Sequence, residues 1–195
     1  VSGNETRINQ STNKAIIDWR GFDVSADENV HFQQPSSDSI TLNRIRSGHA
    51  SQIDGQVSAN GNIIIVNPDG IIFGKNSRID ANGLVASTAD IDNDAFMNSS
   101  ATVAFEKTGN ADAKIENKGH ITVKEAGLVG LVAAHVENSG VIEARMGKVT
   151  LAGAEKMTVD FAGDGLISFA TDIDTGSSHT VKIMGILPQS EGKFS

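Results

Sequence analysis

The chain has 195 residues, enough for one sizeable hydrophobic core and so for one domain by default. Its net charge of −8, with 16 Lys and Arg against 24 Asp and Glu, excludes nucleic acid as the main partner, because neutralising phosphates needs clustered cations. Cysteine is absent, which excludes disulfides and thiol chemistry, and the longest apolar run, Leu128–Ala134, falls far short of the ~20 residues of a membrane span.

Aromatic residues make up only 5% of the chain, with no Tyr, whereas Gly reaches 20 residues. A core of Ile, Val, Ala and Leu broken by Gly and Asn turns points to stacked β-strands. The chain opens on Val1-Ser2-Gly3-Asn4, which lacks the basic and apolar regions of a secretory leader and reads as a mature or trimmed fragment. Trp19 follows in an alternating segment that suits core packing. Val30-His31-Phe32 and Ile40-Thr41-Leu42 read as strands joined by the polar loop Gln34-Pro35-Ser36-Ser37-Asp38-Ser39.

From Ile53 onward the text repeats. Ile53-Asp54-Gly55-Gln56-Val57, Ile79-Asp80-Ala81-Asn82-Gly83-Leu84-Val85, Ile115-Glu116-Asn117-Lys118-Gly119-His120-Ile121 and Val136-Glu137-Asn138-Ser139-Gly140-Val141-Ile142 share one pattern. Each is an aliphatic residue, an acid, a Gly-containing turn and another aliphatic. A looser copy runs from Val159 to Ile167. Anchors roughly 21 to 23 residues apart lie within the ~20–45-residue range of solenoid repeats. A unit of this size cannot bury its own apolar face, so the copies must stack, as coils of a parallel β-helix.

Between the first two copies, Ile63-Ile64-Ile65-Val66 and Ile71-Ile72-Phe73 flank Asn67-Pro68-Asp69-Gly70. Those four residues match a type I β-turn position by position: Asn caps at i, Pro presets φ at i+1, Asp suits i+2 and Gly takes i+3. Thr88 to Ala113 breaks the rhythm and is expected to be an inserted hairpin outside the helix, with Thr102-Val103-Ala104-Phe105 as one strand. Leu128–Val136 has some helical character, but Gly130 favours a buried strand. Val141–Ala144 and Lys148–Leu151 alternate like half-buried strands, and the tail from Leu187 reads as a linker or loose end.

Catalytic and metal readings are weak. Asp54, Asp80, Glu116 and Glu137 recur in the repeats, as solvated repeat corners would, which argues against catalysis. His31, His49, His120, His135 and His179 lack metal-type spacing. Asp90, Asp92 and Asp94 open like a calcium loop, but Ala95 and Ala101 stand where an EF-hand needs Gly and Glu; a loose surface calcium site is what remains. Asp172-Ile173-Asp174-Thr175-Gly176 is a weaker version. No catalytic residue, metal or cofactor is assigned.

Residues 8–91 resemble the haemagglutination-activity, or two-partner secretion (TPS), domain at the front of filamentous haemagglutinins, high-molecular-weight adhesins and haemolysins. The likeness rests on Asn9-Gln10-Ser11-Thr12-Asn13-Lys14-Ala15-Ile16-Ile17-Asp18-Trp19, Phe22-Asp23-Val24, Val30-His31-Phe32-Gln33-Gln34-Pro35 and Leu42-Asn43-Arg44-Ile45. It continues through Ile53–Val57, Ala59-Asn60-Gly61-Asn62, the Asn-Pro-Asp-Gly turn and Gly83-Leu84-Val85-Ala86-Ser87-Thr88. One departure is Asp69, where the family usually has Asn.

The resemblance implies an all-β, right-handed parallel β-helix with an extra-helical β-hairpin insertion at about residues 88–113. Residues 1–187 would form the secretion domain and 188–195 a linker or loose end. It implies a non-catalytic module of a large exoprotein, recognised in the periplasm by the POTRA domains of a partner outer-membrane β-barrel transporter. The module then folds outside the cell and nucleates the rest of the β-helix. The implied protein is a monomer, secreted or displayed at the surface of a Gram-negative bacterium, without membrane insertion. Asn67, Pro68, Asp69 and Gly70, with Asn43 and Arg44, are the expected secretion-motif residues, read by the transporter or holding the fold. Direct adhesion to host glycan or protein is one alternative, a polysaccharide-active β-helix enzyme the other.

Overall fold

A computed structural model describes residues 4–99, 102–161, 167–169 and 180–183. The chain winds through about six coils, whose strands build three parallel sheets. The first coil carries β1 (Glu5–Asn9) and β2 (Lys14–Trp19), then reaches the third sheet only at Val24, which bridges Ile53. The second carries β3 (Asn29–Gln33), β4 (Ile40–Ile45) and β5 (Ser51–Ile53), and the third β6 (Gln56–Ala59), β7 (Asn62–Val66) and β8 (Ile71–Phe73). The fourth begins with β9 (Arg78–Ala81) and β10 (Gly83–Ser87), then leaves the ladder for β11 (Asp90–Ile91), helix α1 (Asn93–Asn98) and β12 (Thr102–Lys107). It returns as β13 (Lys114–Asn117).

The fifth coil is β14 (His120–Val123), β15 (Leu128–Ala133) and β16 (His135–Asn138). The sixth starts with β17 (Val141–Ala144) and β18 (Lys148–Gly153), makes a second excursion through β19 (Met157–Asp160) and β20 (Ile167–Phe169), and closes with β21 (Thr180–Ile183). Sheet 1 therefore runs β1-β3-β6-β9-β14-β17, sheet 2 β2-β4-β7-β10-β15-β18 and sheet 3 β5-β8-β13-β16-β21. Ile115 pairs with Val136 and His120 with Val141, so an uninterrupted coil takes 21 residues (115 to 136, 120 to 141).

The two excursions build one antiparallel sheet, β11-β12-β19-β20, outside the coils. Its apolar side lies against the outer face of sheet 2. Successive residues of sheet 2 point to opposite faces, so Ile63, Ile65, Leu84, Ala86, Val129 and Leu131 fill the interior. Ile64, Val66, Val85 and Val132 instead meet Ile91, Phe96, Val103, Phe105, Met157 and Val159 of the outer layer. Sheet 2 is covered on both sides, which is why Ile63-Ile64-Ile65-Val66 is an unbroken apolar run rather than an alternation. Gly130 also faces this seam, where an added Cβ would meet Ile167 Cδ1 at 2.7 Å.

The inserted segment contains the expected hairpin but is more than a hairpin. Helix α1 was not expected from the sequence; Asp92 caps it by accepting from the Asp94 and Ala95 amides at 2.9 and 3.1 Å. The repeat also needs correction. Phe73 pairs with both Ile53 and Asn117, so Ile53 stacks in line with Asn117 and not with Ile115. Ile79 belongs to sheet 1, and Val159 lies in the outer antiparallel sheet. The aliphatic-acid-turn phrase recurs at several strand ends, because any strand ending in a tight corner satisfies it. The true third-coil partner of Ile115 is Ile71. Residues 162–166, Asp172–Gly176, His179 and the tail from Leu187 lie outside the described residues.

At one end of the ladder the rings of Trp19 and Phe22 meet at a tilt of 59°, with centroids 5.2 Å apart, against the interior. At the other, Val149, Val181 and Ile183 of the last coil are 40%, 45% and 53% exposed. Among the described residues no helix is long and apolar enough to cross a membrane.

Candidate functional site: the Asn67–Gly70 turn and the Asn43–Arg44 pair

β7 and β8 meet at a corner closed by Gly70 N–H donating to the Asn67 carbonyl at 3.0 Å, the bond that the Asn-Pro-Asp-Gly pattern predicts. Asn67 Oδ1 accepts from the Asp69 amide at 3.0 Å, while its Nδ2 donates to the His49 carbonyl at 3.1 Å and to Ser51 Oγ at 3.0 Å. The Asn67 backbone N–H donates to Ser87 O at 3.1 Å. One fully buried residue thus ties its own turn to the coil before and the coil after. Gly70 sits at φ +111°, and a Cβ there would lie 2.7 Å from the Lys114 carbonyl. Both restrictions demand glycine.

Pro68 and Asp69 are half-buried and face the returning insertion. Pro68 O accepts from the Asn110 amide at 3.0 Å, and Asp69 Oδ1 accepts from Asn110 Nδ2 at 2.6 Å. The turn therefore also fastens the end of the inserted segment. Only an acceptor is needed at position 69, and a carboxylate supplies it.

Asn43 and Arg44 are neighbours on β4 and point in opposite directions. Asn43, 0% exposed, faces inward: it accepts from Trp19 Nε1 at 3.0 Å and donates to Ile64 O at 3.3 Å. Arg44, 3% exposed, faces the outer layer. Its Nε donates to Asp90 Oδ1 at 2.7 Å, Nη1 to Asn93 Oδ1 at 2.8 Å and Nη2 to the Ile91 carbonyl at 2.8 Å. A buried guanidinium is tolerated only when its charge and donors are met in this way.

Lys14 does the same work from the first coil and was missed in the sequence. Its Nζ donates to Phe96 O at 2.7 Å, Ser99 O at 2.5 Å and Ser99 Oγ at 2.7 Å, and lies 5.2 Å from the Phe96 ring centroid. Burial pushes its amine below the usual lysine value. The signal was its phase: Lys14 alternates with Ile16, on the face that the apolar run in β7 marks as covered.

The acids do not form a site. Asp54 sits at a corner, where it accepts from the Asn76 amide at 3.2 Å; Asp80 is exposed on sheet 1 and takes Lys124 at 3.0 Å. Glu116 and Glu137 stack on sheet 3. Glu116 is buried rather than solvated, between Lys118 at 2.9 Å and Lys114 at 3.2 Å. Burial acts to raise its carboxyl, but the hydrogen bonds from Lys118 and Lys114 outweigh that and hold it below the ordinary 4.5. Asp90 and Asp92 serve Arg44 and the α1 cap. Among the described residues no group of three His, Asp or Glu side chains could hold a metal.

Comparisons with known proteins bear on the fold and the family. A crystal structure of the HMW1 secretion domain from Haemophilus influenzae superimposes with a TM-score of 0.79 at 32% identity, covering 95% of this chain and 48% of that one. A heme/hemopexin-binding protein of Haemophilus influenzae strain Rd is 34% identical over 190 residues, 95% of this chain but 21% of that protein. A second heme/hemopexin-binding protein of the same species is 37% identical over 92 residues, 47% of this chain and 10% of its length. The chain therefore spans about a fifth or less of these relatives. A family model described as the TPS secretion domain matches residues 1–190, and the chain belongs to that family, a secretion domain and not an enzyme.

Proposed function

We propose that this domain directs export of a large exoprotein by presenting itself, before folding, to the POTRA domains of a partner outer-membrane β-barrel transporter. It then folds outside the cell and seeds the β-helix that follows it. The family match over residues 1–190 carries the reading. The architecture supports the order of events. Each coil packs on its neighbour, so folding proceeds as the chain emerges, and strands not yet stacked have free edges that a POTRA sheet can extend. The last coil ends on exposed Val149, Val181 and Ile183, an apolar surface on which a further coil of the same exoprotein could stack. The route is the periplasm and outer membrane of a Gram-negative bacterium, and the folded domain is a monomer.

The hydrogen bonds of Asn67, Asn43 and Arg44 support fold-holding roles in the exported domain, since their polar atoms are engaged inside it. The test is deletion of residues 1–195 from the full exoprotein. Export should stop and precursor should be degraded in the periplasm; undiminished secretion would overturn the proposal.

A further inference from the structure

A pure solenoid couples only neighbouring coils, so its ends open locally at much lower free energy than its middle. In this domain the insertion bridges that gap. Lys14 of the first coil grips Phe96 and Ser99, and Arg44 of the second grips Asp90, Ile91 and Asn93. These contacts span 46 to 85 residues of chain. Immediately after α1, β12 pairs antiparallel with β19, Phe105 opposite Met157 and Thr102 opposite Asp160, in the excursion of the sixth coil. Phe96, Val103 and Val159 are buried together over Ile40, Leu42, Ile64 and Val85 from three successive coils.

We infer that β11, α1 and β12 form a strap linking the first coils to the last, with Lys14 and Arg44 as its latch, so that the domain opens as one unit. The latch joins the first and second coils to the fourth, and the pairing of β12 with β19 carries that connection on to the sixth. It commits the domain to the folded state once the ladder is complete.

The sole Trp, Trp19 in β2, is a native probe of the first coil, and far-UV ellipticity reports the whole ladder. In urea titrations of the 195-residue chain the two curves should superimpose. In Arg44→Met and in Lys14→Met the Trp19 curve should move to lower urea ahead of the ellipticity. Val159→Ala, in the strand that β12 pairs with in the sixth coil's excursion, should separate the curves in the same direction although Val159 belongs to neither the first coil nor the latch. Lys124→Met, which breaks the exposed pair with Asp80, should leave them superimposed. Should Arg44→Met not fold, Lys14→Met and Val159→Ala carry the comparison. Curves that shift together in both of those variants, or a Trp19 transition that already runs ahead in the unchanged chain, would overturn the strap.

Discussion

Asn67 shows what a single buried amide is worth in this fold. Its side chain satisfies the His49 carbonyl, Ser51 Oγ and the Asp69 amide; truncation takes this partner from Ser51 Oγ and the Asp69 amide, while the His49 carbonyl keeps Ser47 Oγ at 2.7 Å. Leaving a buried partner unpaired costs about 1–3 kcal/mol each, so Asn67→Ala should lower unfolding stability by about 3 kcal/mol once relaxation is allowed for. Pro68→Ala removes only a restriction on the unfolded chain and should cost about 0.4–1 kcal/mol. Urea denaturation of both variants beside their secretion yields separates folding from recognition. Normal stability with lost export would mean that the transporter reads these residues. Glu116 sets an acid limit. Because its folded carboxyl is held below 4.5, the stability it contributes is complete above that value and is lost as pH falls through the lower folded value. Glu116→Gln should flatten the fall of Tm with pH below 4.5; an unchanged slope would refute the assignment.

At the scale of the element, corners decide how closely coils approach. A Cβ on Gly140 would strike the Gly119 carbonyl oxygen directly beneath it. That neighbour is backbone and cannot swing away, so Gly140→Val should destabilise by about 1–3 kcal/mol, read as a lower urea midpoint. Buried amides stitch the same corner: Asn117 Nδ2 donates to Asn138 Oδ1 at 2.7 Å. These features were legible beforehand, since Asn and Gly recur in the repeats and the Asn67–Gly70 turn is spelled out residue by residue. The register was less so. Ile53-Asp54-Gly55 and Ile115-Glu116-Asn117 look alike in the text yet stack two positions apart, because short strands of Ile and Val carry no mark of which sheet they join. Helix α1 is six residues long and too brief for periodicity, and only Asp92 before Asn93-Asp94 announced it. Arg44 is picked out in the sequence only by the family resemblance and Lys14 not at all, because the partner of each lies in the outer layer, 46 to 85 residues further along the chain.

For the whole molecule, the two layers have different logics. The coils follow a local rule and can be read from repetition. The outer sheet is assembled from segments distant in the chain, Phe105 against Met157 for example, 52 residues apart (157 − 105), and answers to no repeat. The inward and outward faces of sheet 2 thereby divide one apolar run into two cores, one holding the coils to each other and one holding the strap to the coils.

The two tips of the rod are unequal. Trp19 and Phe22 plug one, whereas Val149, Val181 and Ile183 lie 40%, 45% and 53% bare at the other. β17, β18 and β21 are the terminal strands of their sheets there. Such a tip is adhesive toward β-rich surfaces, whereas the opposite tip ends on β1 and β2, with mostly exposed polar side chains along β1. Self-association of the domain at high concentration should therefore be set by these few aliphatic side chains at a single pole, against a net charge of −8.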